Sequence, residues 1–320
     1  MNNVVVALDR VTKRFAGHTA VDGLSLTVPP GVIYGLLGPN GAGKSTTIRM
    51  IMNIYVPDGG EVRLFGESGS GRDHSARLGY LPEERGLYAK MRVLDVLLFL
   101  AQMKGLDRRA ARPKALDWLE RLGLSDWRMR KVNELSKGMQ QKVQFISTVL
   151  HEPDLLVMDE AFSGLDPVNS QVLKETVLDL RKRGKTILLS THIMEQAEKL
   201  CDHVCIIARG KKLVDGVLSD VKRQHSGRSV FVNFDGARGD ADRVFADPTV
   251  VAKADVSGQY AELELPAAAD PQKILQAPVS SGARLSRFEL AEASLNKIFI
   301  DLVGPEAATP TARPEEVTRA

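Results

Sequence analysis

The stretch "VIYGLLGPNGAGKSTTIRMIM" (32–52) constrains the fold of this chain more than any other. A short apolar run passes directly into GxxxxGK[ST], from Gly38 to Ser45, and then into an apolar pattern of helical spacing. Strand, glycine loop and helix in that order form a phosphate-binding loop. The glycines let backbone N–H groups close around an anion, and the following helix adds the positive end of its dipole. Gly38, Pro39, Asn40, Gly41, Ala42, Gly43, Lys44, Ser45 and Thr46 are therefore expected to hold the phosphates of a nucleotide. Lys44 would reach the β- and γ-phosphates, and the Ser45 hydroxyl would ligate Mg²⁺.

Two further apolar runs, "DLLVMDE" (154–160) and "KTILLSTH" (185–192), read as parallel strands buried on both faces. Ligands of such sheets gather at the carboxyl ends of the strands. There Asp159 would hold Mg²⁺ directly or through water, and Glu160 would orient or deprotonate the water that attacks the γ-phosphate. His192 falls at the same edge and is expected to contact the γ-phosphate; the plain alternative is a surface histidine at a helix start. For the two acids, the alternative is a helix N-terminus favoured by negative charge.

Between the first two strands, "MRVLDVLLFLAQMKGL" and "RRAARPKALDWLERLGL" carry apolar spacings of three and four, which predicts a helical insertion in an α/β core. After about residue 218 the pattern changes to alternation. Val230, Val232 and Phe234 share one side of "SVFVNFDG", "YAELELP" behaves likewise, and Leu295, Ile298, Phe299 and Leu302 share a helical face. The expected organisation is a nucleotide-binding α/β domain at 1–218 with a helical subdomain at about 84–150. A small α+β domain at 219–304 and a disordered Pro/Ala-rich tail at 305–320 would follow.

Taken together, "GPNGAGKST", "LSKGMQQK", "LLVMDEAFSGLDP" and "LLSTH" occur in the order found in the ATP-binding subunits of ABC transporters, which residues 4 to 217 resemble. The resemblance implies a P-loop NTPase core of the ABC ATPase type, with an antiparallel β-subdomain and a helical subdomain. It also implies a head-to-tail dimer in which one ATP lies between the P-loop of one chain and the signature segment of the other. Ser136, Lys137 and Gly138 lie in that segment, where the family's usual LSGGQ is here LSKGM. Ser136 with its helix start would be a second anion site, or simply a helix cap. The resemblance further implies that Phe15 stacks on adenine, against the alternative of a core phenylalanine. Asp166 would belong to a loop linking the two sites, and it also fits a helix N-cap before Pro167. Glu83 stands where most members have Gln and is expected to offer an oxygen to Mg²⁺, against the alternative of a solvated acid in an exposed loop. The C-terminal region is similar to the accessory domain of ABC-2-type exporters, including sodium-efflux and drug-resistance ATPase subunits.

Charge and composition narrow the rest. With 43 basic and 40 acidic residues spread along the chain, no nucleic-acid footprint is expected. No apolar run reaches the ~18 residues of a membrane span, and "MNNVVVALDRVTKRF" lacks a basic-then-apolar leader. Cys201 and Cys205 are two thiols only, expected to be buried and unpaired. The function expected is ATP hydrolysis for transport, most simply export, by a cytoplasmic subunit peripheral on the inner face of the membrane. Its partners would be a homo- or heterodimeric ATPase mate and integral membrane subunits. A non-transport ABC ATPase acting on nucleic acid or the ribosome is the alternative; the coiled-coil or zinc modules common there are absent from the sequence.

Overall fold

The computed structural model describes residues 4–68, 74–84, 86–225, 228–266, 269–280, 282–291 and 293–304; the tail at 305–320 lies outside them. An antiparallel pair, β1 (Val6–Phe15) and β2 (His18–Val28), opens the chain. Alternation, stepped by the register shift between Leu8 and Val11, decides which face is buried: Val6, Leu8, Val11, Val21, Leu24, Leu26 and Val28 all turn into the core. β3 (Ile33–Leu37), buried at all five positions, leads through the glycine loop to α1 (Lys44–Ile51). β4 (Gly59–Leu64) and β5 (Glu67–Ser68) return to the first sheet, whose order is β2-β1-β4-β5. Its apolar face joins Tyr34, Leu36, Ile48 and Ile51 in one core cluster, which fixes the loop against a rigid floor.

β6 (Leu78–Leu81) precedes a helical group: α2 (Val93–Met103), α3 (Arg108–Arg121) and α4 (Lys137–Val149). Asp107 caps α3 by accepting from the N–H groups of Arg109 and Ala110. The rings of Trp118 and Phe145 meet edge to face with centroids 6.1 Å apart, which ties α3 to α4. The chain then re-enters the sheet with β7 (Leu155–Asp159), α5 (Pro167–Lys182), β8 (Thr186–Thr191), α6 (Met194–Leu200), β9 (His203–Ala208) and β10 (Lys211–Val217). The second sheet runs β10-β9-β3-β8-β7-β6, with every pair parallel except β9 with β10. β7 and β8 are buried throughout, like β3, as a parallel sheet covered on both faces requires. Because β8 lies between β3 and β7, the carboxyl ends of all three open onto one edge: Leu37 pairs with Thr191, and Asp159 with Ser190.

The contacts separate Met1–Leu218 with Phe299–Ala320 from a second unit, Ser219–Ile298. The remaining elements are α7 (Leu218–His225), β11 (Arg228–Phe234), α8 (Ala241–Phe245), β12 (Lys253–Ser257), β13 (Tyr260–Leu265), α9 (Pro271–Ser280), β14 (Leu285–Ala291) and α10 (Leu295–Val303). Within the second unit the antiparallel order is β12-β13-β11-β14. Val230, Val232 and Phe234 are buried with Leu263, Ile274 and Phe245, so the alternation in "SVFVNF" marks a genuine inner face.

Cys201 and Cys205 are buried free thiols. Burial pushes each up to about 12. No described helix is long and apolar enough to cross a membrane.

Candidate functional site

Two glycines make the loop possible. Gly38 (φ 154) and Gly43 (φ 103) take conformations that side chains disfavour. A Cβ at Gly38 would fall 2.2 Å from the Ile207 carbonyl oxygen, and one at Gly43 would fall 2.4 Å from that of Ala20. The loop is thus pressed between the ends of β9 and β2. It is closed by Ala42 N donating to Pro39 O at 3.2 Å and Gly210 N donating to Ala42 O at 3.0 Å. Gly43 offers no side-chain cap to α1, which leaves N–H groups of the first turn available to an anion. Lys44, almost fully buried, donates to Gly38 O at 2.8 Å and Pro39 O at 3.2 Å. Its charge is held inside the loop rather than at the surface.

Opposite it, Asp159 and Glu160 leave the end of β7. Asp159 Oδ1 accepts from Ser45 Oγ at 3.2 Å and from Ser190 Oγ at 2.5 Å. Glu160 stands in the left-handed region (φ 47), which is costly for a residue with a side chain and recurs at functional sites. Its N–H donates to both Ser190 Oγ and Ser190 O, each at 3.2 Å. Glu160 Oε2 lies 3.0 Å from His192 Nδ1, and Oε1 lies 3.3 Å from Lys44 Nζ. Oε1 is within ion-pair reach of the lysine yet buried with no hydrogen bond of its own. A buried oxygen in that state favours a site built for a further donor, such as water.

The groups suit a nucleotide with Mg²⁺. The cradle excludes a Cβ at Gly38 and at Gly43, the lysine sits within it, and the convergent donors Ser45 and Asp159 are hard oxygens of the kind Mg²⁺ prefers. The field of Asp159 reaches Tyr80 on β6: burial raises that phenol first, and the Asp159 charge raises it further. Glu83 lies exposed in the turn after β6 and adds a smaller push to the same phenol. No hydrogen bond or ion pair joins it to Ser45 or Asp159 among the described contacts.

Ser136, Gly138 and Asp166 form a second cluster. Ser136 caps α4, accepting from Met139 N at 3.3 Å, while Lys137 is exposed beside it. Asp166 caps α5, accepting from Asn169 N at 3.0 Å, and the Asn169 amide donates to its other oxygen at 2.5 Å. These bonds hold the Asp166 carboxyl below the usual carboxylate range. A Cβ on Gly138 would sit 2.9 Å from Asn169 Nδ2 and 3.6 Å from Asp166 Oδ2, so the two helix starts meet over a missing side chain. Phe15 is 43% exposed, its ring edge-on to Tyr55 at 5.4 Å. It is therefore available to a flat ligand rather than sunk in the core.

The fold thus brings Lys44, Ser45, Asp159, Glu160 and His192 into one bonded group and leaves Ser136, Lys137, Gly138 and Asp166 in another. No described hydrogen bond or ion pair links the two. Sequence reasoning missed Ser190, Asn169 and Gln141, whose buried amide donates to Ala161 O at 2.8 Å, next to Glu160. Ser190 stood inside the quoted "LLSTH", at the strand end where the sheet gathers its ligands.

Residues 21–163 match the family model described as ABC transporter, and residues 216–303 match that of the ATP-binding protein DrrA1-3-like, C-terminal domain. The chain is 43% identical over 300 residues to the ABC transporter ATP-binding protein YhaQ of Bacillus subtilis, covering 94% of this chain and 99% of that one. It is 36% identical over 309 residues to the Nod factor export ATP-binding protein I of a Rhizobium species, covering 96% and 99%. A solved ATP-binding subunit of an ABC transporter superposes with a TM-score of 0.64 at 30% identity, over 69% of this chain and 92% of that one. A nucleotide-free ATP-binding cassette superposes at 0.61 with 23% identity, over 69% and 94%, a likeness of fold alone.

Proposed function

Because the chain belongs to the family of ABC transporter ATP-binding proteins, we propose that it hydrolyses ATP as one subunit of an exporter whose pathway lies in separate membrane subunits. The observation that carries the chemistry is the Glu160 carboxylate. It is buried between Lys44 at 3.3 Å and His192 at 3.0 Å, beside the Asp159–Ser45 pair. Support for export comes from the Rhizobium relative, named for export, and from the C-terminal match to the DrrA1-3-like domain. No described helix is able to span a bilayer; in the proposed role the pathway belongs to a partner and this subunit lies against the inner membrane face.

In this role the loop N–H groups and Lys44 bind the β- and γ-phosphates, and Phe15 stacks on the base. Ser45 and, directly or through water, Asp159 would hold Mg²⁺, which would supply positive charge to the phosphate oxygens; Glu83, exposed after β6, is proposed as a further oxygen for it. Glu160 orients the attacking water and takes its proton, and His192 holds the Glu160 carboxylate and meets the γ-phosphate. Ser136, Lys137 and Gly138 of a second chain complete the site from the far side, with Asp166 linking the two sites. Two ATP molecules would then lie in a two-fold dimer that closes on binding and opens on hydrolysis. That mate is a second copy or a paralogous chain.

Affinity capture from detergent-solubilised membranes tests the transport role. Recovery with a multi-span membrane protein is the expected result. Recovery without one, together with ATPase activity stimulated by nucleic acid, would replace the exporter reading with a soluble ABC ATPase.

A further inference from the structure

We propose that Ser190 is a positioning residue for this reaction, its single hydroxyl holding both the metal-binding carboxylate and the backbone of the general base. The assignment rests on the roles given above to Asp159 and Glu160. Ser190 is fully buried near the end of β8, paired in register with Asp159 on β7 and with Leu36 on β3. Its Oγ donates to Asp159 Oδ1 at 2.5 Å and accepts from the Glu160 N–H at 3.2 Å. A hydroxyl has one proton to give and lone pairs to receive, so both bonds form at once and fix its rotamer. On the same Oδ1, Ser45 Oγ is the looser donor at 3.2 Å, and it is the group that would turn to Mg²⁺. Ser190 keeps the carboxylate aimed while Ser45 changes partner, as outer groups do around metal ligands generally.

The second bond concerns backbone shape. Glu160 at φ 47 needs its left-handed conformation maintained by its surroundings. Its N–H is shared between the hydroxyl and the carbonyl of Ser190, each at 3.2 Å. Without the hydroxyl the carbonyl bond remains, so the strand end survives while the aim of the Glu160 carboxylate relaxes.

The test uses the full chain as wild type, Ser190→Ala and Ser190→Thr. Binding of a fluorescent ATP analogue is measured in EDTA and across a Mg²⁺ titration, and steady-state turnover is measured beside it. For Ser190→Ala the Mg²⁺ midpoint is expected to rise, and kcat to fall, by about 10- to 100-fold, the range typical of outer-shell partners of a metal. KM at saturating metal and metal-free binding should stay at wild-type values, and Ser190→Thr, which keeps a hydroxyl, should recover both losses. A Ser190→Ala chain with wild-type midpoint and kcat overturns the proposal. Loss of metal-free binding in the same variant does so too, because the hydroxyl would then serve the loop as a whole. Glu160→Gln run in parallel separates the two levels: rapid turnover there would defeat the assignment of the base itself, whereas a dead Glu160→Gln beside an unaltered Ser190→Ala defeats only the role of Ser190.

Discussion

Lys44 spends its hydrogen bonds on the carbonyls of Gly38 and Pro39, and its charge also faces Glu160 at 3.3 Å. Phosphate oxygens compete for a cation already desolvated and preorganised, which makes the interaction stronger than one drawn from water. Lys44→Ala is expected to weaken ATP binding by about 10- to 100-fold, the worth of a charge-assisted bond, measured by equilibrium titration with the fluorescent analogue. An unchanged dissociation constant would mean that the loop amides alone hold the phosphates. The thiols make a contrasting case. Burial raises Cys201 and Cys205 to about 12, so the reactive thiolate is scarce at neutral pH and the sulfur is shielded. Ellman's reagent should find no rapidly reacting thiol in the native chain and two after denaturation in guanidinium. Legibility at this scale followed locality. Gly38 to Ser45 are contiguous, and Asp159 and Glu160 end an unmistakable apolar run. Ser190 takes its meaning from a partner 31 residues away, and a serine at a strand end carries no signal until the strands pair.

Helix α4 shows what a single element adds. Its N-cap Ser136 behaves locally as the sequence allowed, accepting from Met139 N, and its inward face reaches two loops at once. Gln141 donates to Ala161 O at 2.8 Å, and Gln144 donates to Glu84 O at 3.1 Å. The helix that presents Ser136 and Gly138 is therefore bonded to the segment after Glu160 and to the turn holding Glu83. The motif letters show the start of α4; its two glutamines look like ordinary polar helix positions until burial reveals them. The contact of Gly138 with Asn169 was equally hidden, because it joins two helix starts brought together only by the fold. Alanine is intrinsically the better helix residue by about 1 kcal/mol, yet its Cβ would meet Asn169 Nδ2 at 2.9 Å while that amide is tied to Asp166. The clash is expected to outweigh the helical gain, so Gly138→Ala should lower the melting temperature. Adding Asn169→Ala should recover it, with a coupling energy of about 1 kcal/mol in a double-mutant cycle. Strict additivity would show that the two side-chain positions do not meet.

For the whole molecule the decisive fact is that, among the described residues, one chain carries a phosphate loop and a pair of exposed, capped helix starts that meet each other, with no described bond between loop and pair. Ser136, Lys137 and Asp166 are exposed, as a surface meant for a second chain would be. If both groups serve one ATP across a two-fold axis, nucleotide binding and association can be separated by mutation, because the first needs only Lys44 and its loop while the second also needs Ser136. Glu160→Gln provides the background, since loss of the proposed base should slow hydrolysis by about 10²- to 10⁴-fold and let the ATP-bound state accumulate. In Mg²⁺ and ATP this variant should elute as a dimer whose apparent mass falls back to the monomer when ATP is removed, read by size-exclusion chromatography with light scattering. Adding Ser136→Ala removes the hydroxyl at a cost of about 1 kcal/mol in capping. It should leave ATP binding to the dilute chain unchanged while raising the protein concentration needed for association by about 100-fold, the worth of two hydrogen bonds to charged oxygens, one at each of the two sites. A site completed within one chain predicts the opposite: the two affinities would fall together, and the ATP-loaded Glu160→Gln chain would stay monomeric at every concentration.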